Sequence, residues 1–589
     1  MLQKNKNPDN STKRSELREA LAACRNSFAY AAFFSLFINL LMLVPTIYML
    51  QLYGRVMSSR SVQTLAMLTV IVLVLFITMG LLENARSRIL VRAGNKLDSK
   101  LSNRLFDVVF ALANRQPGRA TAQPLADLTS LRQFLTGPGP FAFFDAPWMP
   151  IYIGVLFLFH FWFGCFAIGA ALLLTAITVL NEKGTKKELG RANALSRDSI
   201  NYVGSSLRNA EVVQAMGMRE GIRRRWQAKY WNFLASQTKA SDTAGVWANL
   251  SKTLRVTLQS MILGLGGYLA VINELNPGMM IAGSIIMGRA LAPIDMLTNG
   301  WRGFVEARAA YHRLDQLLEQ FPDQEKPMPL PAPKGAIEVT NLYVTPPLAS
   351  QPVLKGINLN IAPGEVVALI GPSASGKSTL ARALLGVWPL LTGKVRIDKA
   401  DIEHWDSEEL GRYVGYLPQD IELFEGTIVE NIARFGEADP AKVVETANLA
   451  GVHEMILQLP QGYDSMIGPG GVSLSAGQRQ RIALARALYG EPVFIVLDEP
   501  NSNLDEQGEK ALVSAVTRLK ARGATVLIIS HRPGILSVVD KIALLVAGQL
   551  QAFGPRDEVL TALKQAQQAA AQGPQPGQLQ VTQKAEKQA

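Results

Sequence analysis

The strongest constraint on this chain is a set of long apolar segments confined to its first half. Residues 62–82 carry no charge at all. Backbone polar groups in lipid must be satisfied internally, so a segment of this kind crosses a bilayer only as a helix. Similar runs occur near residues 28–52, 141–161, 163–180, 256–272 and 279–297. A buried core helix could explain any single run, but together they predict a transmembrane domain of six helices.

The placement of lysine and arginine predicts how these helices are oriented, because positively charged loops stay in the cytoplasm. The segments between the second and third spans and between the fourth and fifth spans are rich in both residues. The other two junctions carry neither, and Arg55 and Arg60 after the first span are a modest exception. We therefore expect a multi-pass membrane protein with its N-terminus and its second half in the cytoplasm. This topology and anionic lipid headgroups explain the net charge of +11 without nucleic acid.

A glycine-rich loop in the second half of the chain has the spacing of a phosphate-binding loop. It follows the apolar run at 366–370 and precedes a helix. Backbone N–H groups in such a loop can wrap a triphosphate, with a lysine on the outer phosphates and a hydroxyl on Mg²⁺. The predicted nucleotide-binding residues are Gly371, Pro372, Ser373, Ala374, Ser375, Gly376, Lys377, Ser378 and Thr379.

Polar residues suited to nucleotide hydrolysis follow further downstream. The buried-strand run 493–497 ends in Asp498 and Glu499, which could reach magnesium through water and polarise an attacking water. Another apolar run delivers His531, although a lone histidine is more often structural than catalytic. Gln419 could sense the magnesium ion or the water. Ser475 opens a glycine-containing turn that suits a γ-phosphate at a helix N-terminus.

This ordered set resembles the ATPase domain of ABC transporters over roughly residues 336–565. The resemblance implies that Lys377 and Ser378 bind ATP and Mg²⁺, that Gln419 and Asp498 complete the magnesium site, and that Glu499 is the general base. His531 would be the switch histidine. The family works as two such domains arranged head to tail, each contacting the ATP held by the other. The contacting residues here would be Ser475, Gly477, Gln478, Asn503 and Asp505.

Three positions depart from the family pattern. The family's signature motif corresponds to residues 474–478 of this chain. Ala476 stands where that motif normally has a glycine, and we expect its methyl group to be tolerated. Tyr343 lies near the place of the adenine-stacking aromatic but does not align with it. Pro469 lies in the stretch just before the signature, where exporters usually carry a glutamate.

We predict a multidomain chain, with an all-α transmembrane domain of six helices followed by an α/β P-loop ATPase domain. The predicted divisions are a cytoplasmic segment (1–27), the transmembrane domain (28–320), a linker (321–335), the ATP-binding domain (336–565) and a disordered tail (566–589). In exporters of this architecture, short crosswise helices couple ATPase closure to the spans. Their expected places here are residues 116–127 and 216–224.

Arg289 lies about ten residues into the last apolar run. A bare guanidinium at that depth is costly, so it should face a partner such as Asp295, the interior of the assembly or a water-filled path. Two interpretations stay open: Arg289 lines the substrate route, or it forms a structural ion pair.

Three stretches, at 44–53, 144–150 and 371–389, are similar to type I secretion ATPases of the group that exports RTX metalloproteases. That resemblance implies a homodimer in the bacterial inner membrane, working with a periplasmic adaptor of the membrane fusion type and an outer-membrane channel. The cargo would be an unfolded protein with an uncleaved C-terminal signal. Too few residues precede Phe28 for the N-terminal peptidase domain of some relatives, so leader cleavage is not expected.

Two other functions fit parts of the sequence. An exporter of lipids or small amphiphiles has the same architecture and needs no adaptor or channel. A membrane-anchored regulatory ATPase that moves no cargo is a different class. Glu499 and His531 argue against it, because such a protein would not need to keep these two residues.

Overall fold

The protein is described by a computed structural model covering residues 15–116, 121–323, 327–347, 349–468 and 472–571. The side chains of residue 299 and of residues 566–571 are not described. The chain divides into two compact units, residues 1–111 with 121–323 and residues 112–120 with 324–589. Parts of the predicted N-terminal segment, the 116–127 crosswise helix, the linker and the tail, as well as Pro469, lie outside the described residues.

The described residues of the first unit form only helices and the turns between them. The helices are α1 (Glu16–Ala22), α2 (Arg25–Leu41), α3 (Val44–Gln51), α4 (Met57–Ser59), α5 (Val62–Arg115), α6 (Gln123–Thr136), α7 (Gly139–Asp145), α8 (Met149–Phe159), α9 (Phe161–Leu207), α10 (Ala210–Ala215), α11 (Arg219–Val271) and α12 (Pro277–Gln320).

Among the described residues, six helical segments are long and apolar enough to cross a membrane, as the sequence predicts. They are Arg25–Ser59, Val62–Arg115, Gly139–Phe159, Phe161–Leu207, Arg219–Val271 and Pro277–Thr298. α5 has 54 residues, so it is about 80 Å long and exceeds the ~30 Å hydrocarbon core. The first span ends irregularly, in a π-helical turn at Leu52–Val56 that contains Arg55, and Arg60 then adopts a left-handed conformation.

The short element between α9 and α11 lies a few residues before its predicted place. The sequence placed a crosswise helix at 216–224, whereas α10 occupies Ala210–Ala215 and α11 begins at Arg219. Residues 216–218 form the turn between them, because Gly217 has a φ of +64° that interrupts the helix.

A buried polar cluster joins four helices of the first unit. Arg86 on α5 pairs with Asp145 at the end of α7, with 3.2 Å between Nη1 and Oδ1. The same Nη1 donates to the Ser35 hydroxyl at 2.8 Å, and Asn39 Nδ2 donates to Asp145 at 2.8 Å. The Tyr152 hydroxyl on α8 donates to Asn39 Oδ1 at 3.0 Å. All five residues are buried. The mutual pairing offsets the cost of placing these groups away from water.

The described residues of the second unit form three β-sheets. Its strands are β1 (Ile337–Val344), β2 (Leu354–Ile361), β3 (Val366–Ile370), β4 (Thr392–Ile397), β5 (Ala400–Asp401), β6 (Val414–Leu417), β7 (Gly426–Thr427), β8 (Met466–Ile467), β9 (Phe494–Asp498), β10 (Thr525–Ile529), β11 (Lys541–Val546) and β12 (Gln549–Pro555). The sheet orders are β12-β11-β3-β10-β9-β6, β2-β1-β4-β5 and β7-β8.

Along the chain, the helices of this unit are interspersed with its strands. They are α13 (Lys377–Leu384), α14 (Ser407–Leu410), α15 (Ile428–Ile432), α16 (Pro440–Leu449), α17 (His453–Leu457), α18 (Ala476–Leu488), α19 (Glu506–Ala521), α20 (Pro533–Leu536) and α21 (Arg556–Ala571).

The six-stranded sheet is covered on both faces. β3, β10, β9 and β6 run parallel to one another, and β11 runs parallel to β3. Successive residues of β3, β9 and β10 enter two different cores: Ala368, Leu497 and Ile528 enter one, whereas Leu369, Val496 and Leu527 enter the other. Burial on both faces explains why these strands read as continuous apolar runs.

Asp145→Ala should destabilise the first unit strongly, because it leaves Arg86 buried without its counter-charge. We expect a loss of about 3–5 kcal/mol, measured by thermal unfolding of the full chain in detergent. Glu306→Ala is the control, since it breaks the exposed pair with Arg302 (3.1 Å) and should cost less than about 1 kcal/mol. Equal losses in the two variants would show that the cluster is not a stabilising centre.

Candidate functional site

The predicted hydrolytic residues lie at one edge of the six-stranded sheet. The glycine-rich loop follows β3, His531 follows β10, Glu499 follows β9 and Gln419 follows β6. These four strands are neighbours in that order and run parallel. Residues separated by more than a hundred positions are thereby brought to a single edge, where ligands of parallel α/β sheets bind.

The backbone of the glycine-rich loop takes conformations that require its glycines. Gly371 has a φ of +152°, and a Cβ there would lie 2.0 Å from the Leu545 carbonyl oxygen. Gly376 has a φ of +102°. Pro372, Ser373 and Ala374 are exposed, whereas Ser375, Lys377 and Thr379 are buried.

Lys377 reaches back across this loop. Its Nζ donates to the carbonyl oxygens of Gly371 at 2.8 Å and Pro372 at 2.9 Å. The turn after β11 supports the loop from the other side, since the Gly548 N–H donates to the Ser375 carbonyl at 3.1 Å. An ammonium group is therefore held within a loop whose next residues open a helix, which is the arrangement that binds phosphate.

Asp498 is a buried carboxylate near the Ser378 hydroxyl and the Arg382 and Lys377 charges, but it forms no ion pair with a described residue. Its side chain is 1% exposed, and neither carboxylate oxygen has a hydrogen bond to a described residue. Burial raises the pKa of Asp498 above its ordinary value; Ser378 opposes the rise in pKa, and the Glu499 charge adds to it. A hard cation such as Mg²⁺ would satisfy both oxygens and offset their burial, so Asp498 and the nearby Ser378 hydroxyl fit that ion.

Glu499 and Gln419 are brought together at the sheet edge. Gln419 Nε2 donates to Glu499 Oε2 at 3.3 Å, and the Glu499 N–H donates to the Ile529 carbonyl of β10 at 3.0 Å. Glu499 has a φ of +49°, an uncommon conformation for a residue with a side chain. The His531 side chain is exposed one residue beyond buried Ser530. Glu499, Gln419 and His531 thus remain at least partly accessible to a ligand.

The signature residues form the N-terminus of α18. Ser475 and Gln478 make a capping box, in which the Ser475 hydroxyl accepts from the Gln478 N–H at 3.2 Å and Gln478 Oε1 accepts from the Ser475 N–H at 2.8 Å. Ala476 is exposed, so its methyl group meets solvent. A Cβ on Gly477 would lie 2.8 Å from the Asn503 carbonyl oxygen, which explains why this position needs glycine.

Asn503 and Asp505, which the sequence predicts to contact the partner's ATP, have different local roles. The Asp505 carboxylate caps α19 by accepting from the Gly508 N–H at 2.8 Å. The Asn503 side chain is exposed, but its backbone N–H donates to Gln480 Oε1 at 2.9 Å. We did not select Gln480 from the sequence. The only signal for it is an amide on the apolar face of an amphipathic helix.

Tyr343, the aromatic residue that the sequence places near the adenine-stacking position, does not border the glycine-rich loop at Gly376, where Val353 lies. Tyr343 lies in β1 with its hydroxyl beside Gly356, whereas Val353 packs against the loop at Gly376. A Cβ built on Gly376 would meet the Val353 side chain at 3.1 Å. An aliphatic residue therefore borders the glycine-rich loop at this point.

The suggested partner of Arg289 is engaged elsewhere. Asp295 pairs with Arg255 on α11 at 2.7 Å, so the sequence-based pairing of Arg289 with Asp295 is wrong. The error arises because α11 packs beside α12 and supplies a nearer cation. Arg289 is half-buried, and it makes no hydrogen bond or ion pair with the described residues.

Comparisons with known proteins cover both units. Residues 28–291 match the model for the ABC transporter transmembrane region, and residues 354–502 match the model for ABC transporter. The chain is 44% identical to the type I secretion system ATP-binding protein PrsD of Rhizobium meliloti, over 93% of this chain and 95% of that protein. It is 27% identical to the leukotoxin translocation ATP-binding protein LktB of Mannheimia haemolytica, over 92% of this chain and 77% of that protein.

A solved structure shares the fold. A bacterial Atm1-family ABC exporter with ATP bound superposes with a TM-score of 0.77, over 95% of this chain and all of that chain, at 22% identity. At that identity the likeness concerns the fold alone.

Asp498→Asn should stabilise the nucleotide-free protein at neutral pH. The pKa of Asp498 is raised in the folded state, so its ionised form opposes folding once the pH exceeds that pKa. We expect the variant to melt about 2–4 °C higher near pH 7.5, a gain that shrinks as the pH falls through the raised pKa toward the ordinary aspartate value. Asp505→Asn is the control, because asparagine also caps a helix and should leave the melting temperature unchanged. An unchanged or lower melting temperature for Asp498→Asn would contradict the unpaired charge.

Proposed function

The chain belongs to the ABC transporters of type I secretion systems, and from that premise we propose that it exports an unfolded protein, of the RTX metalloprotease type, in one step. It is a multi-pass ATPase of the bacterial inner membrane, its ATPase domain is cytoplasmic, and its hydrolysis of ATP is coupled to transport. The observation that carries the proposal is the 44% identity to a type I secretion protein over 93% of the chain.

In this proposal the glycine-rich loop holds the triphosphate of ATP. The loop amides from Gly371 to Thr379 surround the phosphates, and Lys377 turns from the carbonyl groups it now contacts to the β- and γ-phosphate oxygens. A lysine already held inside the loop needs only a short side-chain movement to do this. The exposed Pro372, Ser373 and Ala374 leave the mouth of the loop open to ATP.

Mg²⁺ would be held by Ser378, Gln419 and Asp498, the last two reaching it directly or through water. The two unpartnered oxygens of Asp498 support this assignment. When bound, the ion neutralises part of the phosphate charge. The protein itself contributes a buried carboxylate whose charge no described protein group matches by a hydrogen bond.

Glu499 is the proposed general base, and Gln419 and His531 assist it. A carboxylate at this edge can accept a proton from a water that attacks the γ-phosphate. The bond from Gln419 to Glu499 Oε2 fixes the direction of that carboxylate. His531, exposed at the end of the neighbouring strand, would donate to the γ-phosphate.

The complete site needs two copies of the chain. Ser475, Gly477 and Gln478 would contact ATP held by the partner copy, together with Asn503 and Asp505. The exposure of Ser475 and Asn503 supports this, because both face solvent in the single chain. We therefore propose a homodimer with two ATP sites, each built from the loop of one copy and the signature of the other.

A periplasmic membrane fusion adaptor and an outer-membrane channel would complete the export path. The relative LktB is named for leukotoxin translocation, and PrsD for a type I secretion system. For this chain we propose a cargo of the same general kind, recognised through an uncleaved C-terminal signal.

Arg289 is proposed to line the route of that cargo. It lies in the segment Pro277–Thr298 that can span a membrane, and Asp295 is already paired with Arg255. A half-buried cation that makes no ion pair with the described residues fits a polar path better than a structural pair.

Glu499→Gln should bind ATP and fail to hydrolyse it, because the amide cannot accept the proton of water. We expect turnover to fall by about two to four orders of magnitude with little change in ATP affinity. Turnover and the binding of a fluorescent ATP analogue to the purified chain provide the test. Hydrolysis at the unmodified rate would remove Glu499 from its assigned role.

Secretion is the direct test of the cargo. Cells carrying this chain, an adaptor, an outer channel and a protease with a C-terminal signal should release the protease, whereas Lys377→Ala cells should not. The purified chain must also hydrolyse ATP, so that failure to fold is excluded. An active ATPase with no secretion would contradict protein export and favour lipid or small-amphiphile export.

A further inference from the structure

Gln480 is a buried amide at the point where α18 meets the segment after β9. Its side chain is 1% exposed and lies on the same buried face of α18 as Ala483 and Leu484. Burying an amide in this way costs free energy unless each polar atom is paired. An apolar residue would serve simple packing better, so the hydrogen bonds that Gln480 makes indicate its purpose.

Both ends of the Gln480 amide bind the backbone around Glu499. Nε2 donates to the Pro500 carbonyl at 2.5 Å and lies 3.4 Å from the Glu499 carbonyl and from the Ser502 hydroxyl. Oε1 accepts from the Asn503 N–H at 2.9 Å. One side chain therefore contacts four of the five residues in the segment 499–503, which begins with the proposed base.

The signature end of α18 touches the same segment. A Cβ on Gly477 would come within 2.8 Å of the Asn503 carbonyl oxygen, so no gap separates the helix from that backbone. Gly477 and Gln480, one turn apart on α18, thus both contact the segment 499–503.

The hydrogen bonds continue to the segment that carries His531. The Ser530 hydroxyl donates to the buried Asn501 Oδ1 at 3.1 Å and accepts from the Arg532 N–H at 3.2 Å. A continuous chain of contacts therefore runs from α18, through residues 499–503, to the residues on both sides of His531.

We propose that Gln480 is a positioning residue that couples the two ATP sites of the dimer. When the signature of one copy engages the partner's ATP, Gln480 transmits the movement of α18 to Glu499 in its own copy. Each site then hydrolyses its ATP only when the opposite site also holds ATP. This inference rests on the proposed function, in which Glu499 is the base and the signature acts on the partner's nucleotide.

Gln480→Met tests the positioning role, because methionine keeps the volume and removes all the hydrogen bonds. We expect kcat of the full-length dimer to fall by about tenfold while KM for ATP changes by less than about threefold. Thr525→Val is the matched control. Thr525 is also buried, and its hydroxyl donates to the Gly335 carbonyl at 2.8 Å and accepts from the Gly364 N–H at 3.0 Å.

Thr525 lies at the start of β10, the end of the sheet opposite the ATP site. Its valine variant should therefore lose stability without a matching loss of kcat in the folded fraction, measured by thermal unfolding alongside turnover. Equal effects of the two variants on kcat would reduce Gln480 to a structural residue and overturn the proposal.

Mixed dimers test the coupling itself. One copy carries Glu499→Gln, so only the other copy can hydrolyse its ATP. Gln480→Met in the copy with intact Glu499 should slow hydrolysis about tenfold, whereas the same change in the Glu499→Gln copy should have less than about a twofold effect. Equal slowing, or greater slowing in the second arrangement, would show that Gln480 serves the signature alone.

The Glu499→Gln homodimer distinguishes a failure of Glu499 as the base from a failure of Gln480 as a positioning residue. If it hydrolyses ATP normally, the proposed base is wrong whatever the Gln480 variants do. If it is inactive and Gln480→Met retains the unmodified kcat, only the positioning role is overturned.

Discussion

The parallel pairing of β3, β10, β9 and β6 is the constraint on which the ATP site depends. β3, β9 and β10 are buried on both faces, so their charged residues lie only at or beyond the strand ends. Because the strands run in one direction, those ends meet at one edge, with Lys377, Asp498 and Gln419 drawn from distant parts of the chain. The sheet thus supplies both the hydrophobic core and the alignment of the polar groups.

Two residues at that edge lower the stability of the nucleotide-free protein. Asp498 is buried with both oxygens unpartnered among the described residues, and its neighbour Glu499 has a left-handed backbone conformation. Both features are unfavourable without a ligand, and in the function proposed above bound phosphate and a cation would relieve or use them. The surrounding backbone bonds, from Gln480 to Pro500 and from Glu499 to Ile529, hold the strained segment in place.

The membrane unit uses buried polar groups differently. Around Arg86 and Asp145 the charges are paired, and each further bond ties another helix into the cluster. Arg289 contrasts with this cluster, since the described residues give it neither a hydrogen bond nor an ion pair. A charge satisfied within the unit stabilises helix packing, whereas a charge left open is available to cargo or water.

The sequence by itself determined the six apolar spans, the glycine-rich loop and the strand ends that carry Asp498, Glu499 and His531. These follow from local patterns: charge-free runs such as residues 62–82 can only be helices in lipid, and a buried strand ends where a charged residue begins. The tertiary structure alone decided which side chains meet. It paired Asp295 with Arg255 rather than Arg289, and it placed Gln480 against the backbone of Glu499. These contacts join elements that are separated along the chain, so they depend on how helices and strands pack and no local pattern encodes them.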